Sequence, residues 1–64
     1  MTTAENIALI AEHDSATQFR PMLKRANAES ISIEDDEYEG CNVSIFIFSD
    51  GSRLQVCSGH MEAL

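Results

Sequence analysis

The sequence predicts an α+β domain, with two short N-terminal helices packed on a small antiparallel sheet ending in a β-hairpin. Three observations predict it. Apolar residues recur at helical spacing within the first 28 positions, Val, Ile and Phe crowd residues 41–48, and Asp50-Gly51 separates that run from a second one. The chain has 64 residues, so residues 1–64 form one small domain. Hydrophobic residues make up 44% of it, enough for one core. A chain of this size buries only about 60% of its unfolded surface, which makes stability marginal.

The first helix has a start signal. Thr2-Thr3-Ala4-Glu5 is a capping box, in which the Thr2 hydroxyl accepts from the Glu5 amide and Glu5 reaches back. Ile7, Ile10 and Ala11 then form a stripe, and Leu9 falls on the polar side with Glu5 and Glu12. Asp14 would fall inside the stripe as an unpaired buried carboxylate, so the helix is expected to end near His13, which also complements the dipole. After a turn at His13-Asp14-Ser15, Phe19, Met22, Leu23 and Ala26 define a second helix. Pro21 is tolerated where its missing amide would be unpaired, so this helix should begin near Thr17 or Gln18 and run to about Ala28. A single kinked helix from Ala4 to Ala28 is the alternative.

The second half changes period. Ile31 and Ile33 alternate with Ser30 and Ser32 as a short strand, and an acidic segment of low β-propensity follows to Gly40. Cys41 to Phe48 and Arg53 to Ser58 read as a hairpin, and residues 59–64 as a tail. A two-residue Asp50-Gly51 turn pairs Phe48 with Arg53 and Ile45 with Val56. Val43, Ile45, Ile47, Leu54 and Val56 then share the covered face, while Phe46 and Phe48 lie outward with Arg53. A three-residue Ser49-Asp50-Gly51 loop with a bulge would shift the pairing by one and put both phenylalanines beside Leu54 and Val56. The first register is expected, because it gathers more branched aliphatics on one side. The expected core is Ile7, Ile10, Phe19, Met22, Leu23, Val43, Ile45, Ile47, Leu54 and Val56. In the same register Cys41 and Cys57 point apart, so both are expected as free thiols.

Composition restricts function. Four Lys and Arg against eleven Asp and Glu give a formal charge of −7, which argues against direct binding of nucleic acid or of an anionic membrane surface. No stretch approaches the roughly 20 apolar residues of a membrane span. Met-Thr-Thr-Ala-Glu-Asn lacks the basic and apolar regions of a secretory signal, so the expected compartment is the reducing cytoplasm. The size leaves little room for a deep, dry active site, and no enzyme is expected. A soluble acidic domain is suited to a basic partner protein.

The densest chemical feature is the acidic run. Residues 29–39 hold Glu29, Glu34, Asp35, Asp36, Glu37 and Glu39 with no basic residue. As a solvated loop or edge strand, it would keep the chain soluble. As an interaction site, its extended residues advance about 3.3 Å each, close to the roughly 3.4 Å per phosphate of one DNA strand. A groove built for phosphate would attract it. A calcium loop starting at Asp35 fails, because position 12 is Phe46 rather than a bidentate Glu. Cys57-Ser58-Gly59-His60 is only a zinc half-motif, and as nucleophile and base the pair lacks a pocket. No metal or cofactor is expected. Phe46 and Phe48, if outward, form an aromatic patch for a partner or a second copy.

The small size, the helix-first order and the acidic run leading into Asn42-Val43-Ser44-Ile45-Phe46-Ile47-Phe48-Ser49-Asp50-Gly51-Ser52-Arg53-Leu54-Gln55-Val56 resemble small phage-encoded anti-CRISPR proteins. The resemblance covers size, charge and order of elements. Some members act as DNA mimics on the basic surface of a Cascade surveillance complex. The resemblance therefore implies a non-enzymatic inhibitor in the host cytoplasm that blocks nucleic-acid binding by a CRISPR effector. The expected contact residues are Glu34, Asp35, Asp36, Glu37, Glu39, Phe46 and Phe48. The alternative is a small homodimeric interaction or regulatory module whose acidity serves solubility.

Overall fold

The computed structural model describes residues 1–64. Helices α1 (Thr3–His13) and α2 (Ser15–Glu29) precede strands β1 (Ser30–Tyr38), β2 (Cys41–Phe48), β3 (Arg53–Cys57) and β4 (His60–Ala63). The strands form an antiparallel meander in the order β1-β2-β3-β4. Both helices lie on one face of this sheet, so the architecture is α+β in two layers.

Helix α1 starts on its capping box: Thr2 accepts from the Glu5 amide at 3.1 Å, and Glu5 accepts from the Thr2 amide at 3.0 Å. It buries Ala4, Ile7, Ala8 and Ala11, while Ile10 is half-buried and Leu9 exposed. Asp14 alone separates the helices, with φ −148° and ψ 73°, and its exposed carboxylate accepts from the Thr17 hydroxyl. Ending the first helix at His13 thus keeps that carboxylate in water.

Helix α2 is longer than expected, and Pro21 sits in its interior rather than its first turn. The missing amide leaves the Thr17 carbonyl without its helical donor. Phe19, Met22 and Leu23 nevertheless pack on the core, and tertiary packing of this face outweighs the local cost. The helix passes into β1 without a loop: the Ser30 amide donates to the Ala26 carbonyl and the strand begins at that residue.

The sheet corrects two expectations about the extent of its strands. The strand expected at residues 31–33 extends through the acidic segment to Tyr38, because β2 supplies a ladder for every residue from Ser32 onward. Residues 59–64 are no tail. Ser58 and Gly59 have φ 47° and 79°, which makes a two-residue turn and returns the chain as β4 along β3. Glu39 and Gly40, at φ 51° and 78°, do the same between β1 and β2.

The central hairpin adopts the other register. Phe46 faces Leu54, Ile45 faces Gln55 and Ile47 faces Arg53. The Phe48 amide donates to the Ser52 carbonyl at 2.9 Å, so Ser49-Asp50-Gly51 is a three-residue loop with Gly51 at φ 85°. Phe46 and Phe48 therefore face the helices and are 5% and 1% exposed, packed with Ile7, Leu54 and Met61. Two buried phenylalanines remove more apolar surface from water than two isoleucines would. Ile45 and Ile47 are consequently half-buried on the opposite, helix-free face rather than in the core.

The same shift overturns the free thiols. Cys57 lies one step beyond the Ser44–Val56 pair, on the face that carries Cys41, Val43, Ile45 and Ile47. The two cysteines are joined in a disulfide with a Cα–Cα distance of 6.9 Å. Val43 is 4% exposed although it is outside the helix-side core. It belongs to this second, smaller layer beside the cystine.

Candidate acidic edge and open sheet face

The acidic residues are held along a sheet edge. Glu34 pairs with Ile45, Asp35 with Ser44, Asp36 with Val43 and Glu37 with Asn42, so each has a fixed position on a strand hydrogen-bonded on one side only. Side chains alternate between faces along a strand. Glu34 and Asp36 therefore stand on the helix-free face, beside Ile45 and Val43. Asp35 and Glu37 stand on the helix side, where the Ser44 hydroxyl donates to Asp35 at 3.2 Å. Glu39 occupies the turn at the end of the strand. All five are exposed.

None of the five has a cationic partner. The one ion pair in the molecule is Arg25 with Glu29, at 2.6 Å and one helical turn apart. Thus Glu29 is neutralised at the end of α2, whereas the run from Glu34 to Glu39 presents its charge to solvent. Unpaired carboxylates crowded on one strand repel each other, and the pairing with β2 holds them there. Any cation that docks here relieves that repulsion.

The helix-free face is the second element of the site. Its centre carries Ile45 and Ile47, both half-buried, with Gln55 and Arg53 across from them on β3. Glu34 and Asp36 line the β1 side, and exposed Tyr38 lies at the end near the cystine. Phe46 and Phe48, expected in an outward partner patch, are inside the core and unavailable to a partner in this fold. The two isoleucines and Tyr38 stand on the open face instead; alternation along β2 marks the isoleucines once the register is known, and pairing with Cys41 places Tyr38.

No group of His, Cys, Asp and Glu side chains is arranged to hold a metal ion. His60 is exposed at the start of β4, and the sulfurs of Cys41 and Cys57 are bonded to each other. No helix is long and apolar enough to cross a membrane. Comparison with protein-family models, curated proteins and solved structures finds no match to this chain.

Proposed function

We propose that this protein is a non-enzymatic inhibitor whose acidic β1 edge occupies a nucleic-acid-binding groove on a basic partner protein. The observation that supports it most is the row Glu34, Asp35, Asp36 and Glu37, exposed, without basic partners and fixed on a paired strand. Along the strand one charge recurs about every 3.3 Å, but alternate charges stand on opposite sides, about 7 Å apart on each face. A flat basic surface meets half of them. A cleft that closes around the strand edge meets all, and clefts of that kind hold single nucleic-acid strands. The likeness to anti-CRISPR inhibitors makes a Cascade-type CRISPR effector the first partner to assay.

The test is competition between the protein and labelled DNA for a purified effector. Single substitutions in the edge should change little, since exposed charge pairs are individually weak. Reversing Glu34, Asp36 and Glu37 together to Lys should abolish inhibition while circular dichroism stays native. Inhibition should also fall steeply with salt. Simultaneous binding of protein and DNA, or full inhibition by the triple variant, would refute the mechanism.

A second reading is a homodimeric interaction module built on the helix-free face, favoured by half-buried Ile45 and Ile47 on a sheet surface that no helix covers. Association through those residues would persist at high salt and be lost on Ile45→Lys, which separates it from the electrostatic inhibitor.

A further inference from the structure

The sheet has two edges, and the one away from the acidic strand has a different character. Strand β4 is short, lacks Pro and Lys, and lies beside α1. A groove of about 450 Å³ runs between them, with Ala8 and Leu9 from α1 and Met61 and Ala63 from β4 among its lining residues. Glu5 and Glu12 line its helix side. Neither Lys nor Arg borders it, and the terminal ammonium of Met1 is set against the three carboxylates of Glu5, Glu12 and Glu62. Leu9 is 53% exposed on its wall, on the side of α1 that also carries Glu5 and Glu12.

The ladder shows which backbone groups face the groove. The Leu64 amide donates to the Arg53 carbonyl at 3.0 Å. In an antiparallel pair the bonding direction alternates residue by residue. Glu62 and His60 therefore turn their N–H and C=O groups toward β3, and Met61 and Ala63 turn theirs outward. Two donors and two acceptors are thus set in strand geometry next to an apolar wall with an acidic rim.

We propose that the groove between α1 and β4 takes an extended basic segment of a partner protein as a fifth strand. Main-chain bonds to Met61 and Ala63 would supply the pairing, as in other cases of strand addition at an open edge. Apolar side chains of the segment would rest on Leu9 and Met61, and its alternate Lys or Arg side chains would reach Glu62 on the helix-free face, with Glu5 and Glu12 adding to the negative field. Charge selects the occupant. A second copy carries −7 itself, and its own long edge, β1, would bring Glu34 to Glu37 toward Glu5 and Glu12. This site lies on the opposite sheet edge from the acidic strand and does not depend on the inhibitor reading.

The probe is an eight-residue peptide of alternating Lys and Val, titrated into the isotope-labelled full chain. The expected result is shifts at Leu9, Met61 and Ala63, with slowed hydrogen exchange of the Met61 and Ala63 amides. The same peptide N-methylated at alternate residues keeps its charge but cannot complete a ladder, and it should lose most of its affinity. Neutralising Glu12 and Glu62 together to Gln should weaken binding several-fold at low salt, whereas reversal of Glu34, Asp36 and Glu37 should leave it intact. Equal binding of the N-methylated peptide would overturn the proposal, as would shifts confined to β1. Protection of Met61 and Ala63 that grows with protein concentration in the absence of peptide would overturn it in favour of self-association.

Discussion

Phe46 lies directly across from Leu54 in the β2–β3 pair, and both are buried under α1 and α2. That one pairing decides which side of β2 meets the helices, whether the cysteines can join, and which residues remain on the open face. A shift of one residue would reverse all three.

The energetic consequence is an order of mutational sensitivity. Phe46→Ala should destabilise the fold by about 3–5 kcal/mol, a large part of what so small a domain has. Ile45→Ala, at a half-buried position on the open face, should cost clearly less. Urea unfolding of both variants checks this, and a larger loss for Ile45→Ala would contradict the register.

The Cys41–Cys57 bridge closes a segment with a sequence separation of 16. Removing it frees the unfolded chain and should lower stability by about 3 kcal/mol on the loop-entropy relation. The unreduced protein should weigh two hydrogens less than the dithiol by mass spectrometry. Cystines persist in oxidising surroundings, so under reducing conditions the same protein has the lower stability of the dithiol. Melting temperatures with and without reductant measure that difference.

Asp50 ties the central loop to the start of α1. Its carboxylate accepts from the Thr3 amide at 2.8 Å, the Ser52 amide at 2.9 Å and the Ser52 hydroxyl, while that hydroxyl accepts from the Ala4 amide at 3.1 Å. The Ser52 hydroxyl bond and the Thr3 and Ser52 amides hold its pKa well below the usual carboxylate value. A carboxyl with a lowered folded pKa contributes stability above its unfolded pKa and loses it as pH falls toward the folded value. Glu5, lowered mainly by its bond from the Thr2 amide, acts in the same direction. Below about pH 4 the native protein should therefore lose stability with acid. Asp50→Asn should start lower and fall less steeply over the same range, as read from thermal melts at a series of pH values.

Pro21 is exposed in the interior of α2 and makes no amide hydrogen bond there. Pro21→Ala restores a donor for the Thr17 carbonyl and a helix-favouring residue. The variant should gain stability, by up to about 3 kcal/mol on the helix-propensity scale. An unchanged or lower melting temperature would mean that the proline makes compensating contacts.

Self-repulsion among the unpaired acids predicts an effect of salt on the fold itself. With five exposed carboxylates from Glu34 to Glu39 and a net charge of −7, screening should raise the melting temperature between low and physiological ionic strength. Neutralising Glu34 and Asp36 to Gln and Asn should produce part of that gain without salt and should flatten the response. A melting temperature independent of salt would show that the acids are too far apart or too well solvated to repel.

Local signals in the chain determined the α+β class, the capping box at Thr2, the end of α1 at His13, the strand at Cys41–Phe48 and the charge of the segment from Glu34 to Glu39. Each depends on neighbouring residues alone: a cap three positions away, an apolar period, a cluster of like charge. The extent of β1, the existence of β4 and the hairpin register were settled only by tertiary structure. The acidic segment has poor strand propensity by itself and becomes a strand because β2 offers it a ladder. His60–Ala63 lacks any strong pattern and becomes a strand because Met61 is buried against the core. The segment Ser49-Asp50-Gly51-Ser52 is compatible with two turns and hence two registers, and the choice falls to whichever face the helices can cover. Burying Phe46 and Phe48 beneath α1 and α2, with Asp50 and Ser52 bonded to the amides at the start of α1, favours one of them. Those contacts join residues almost fifty positions apart, and such pairings leave no trace in local sequence.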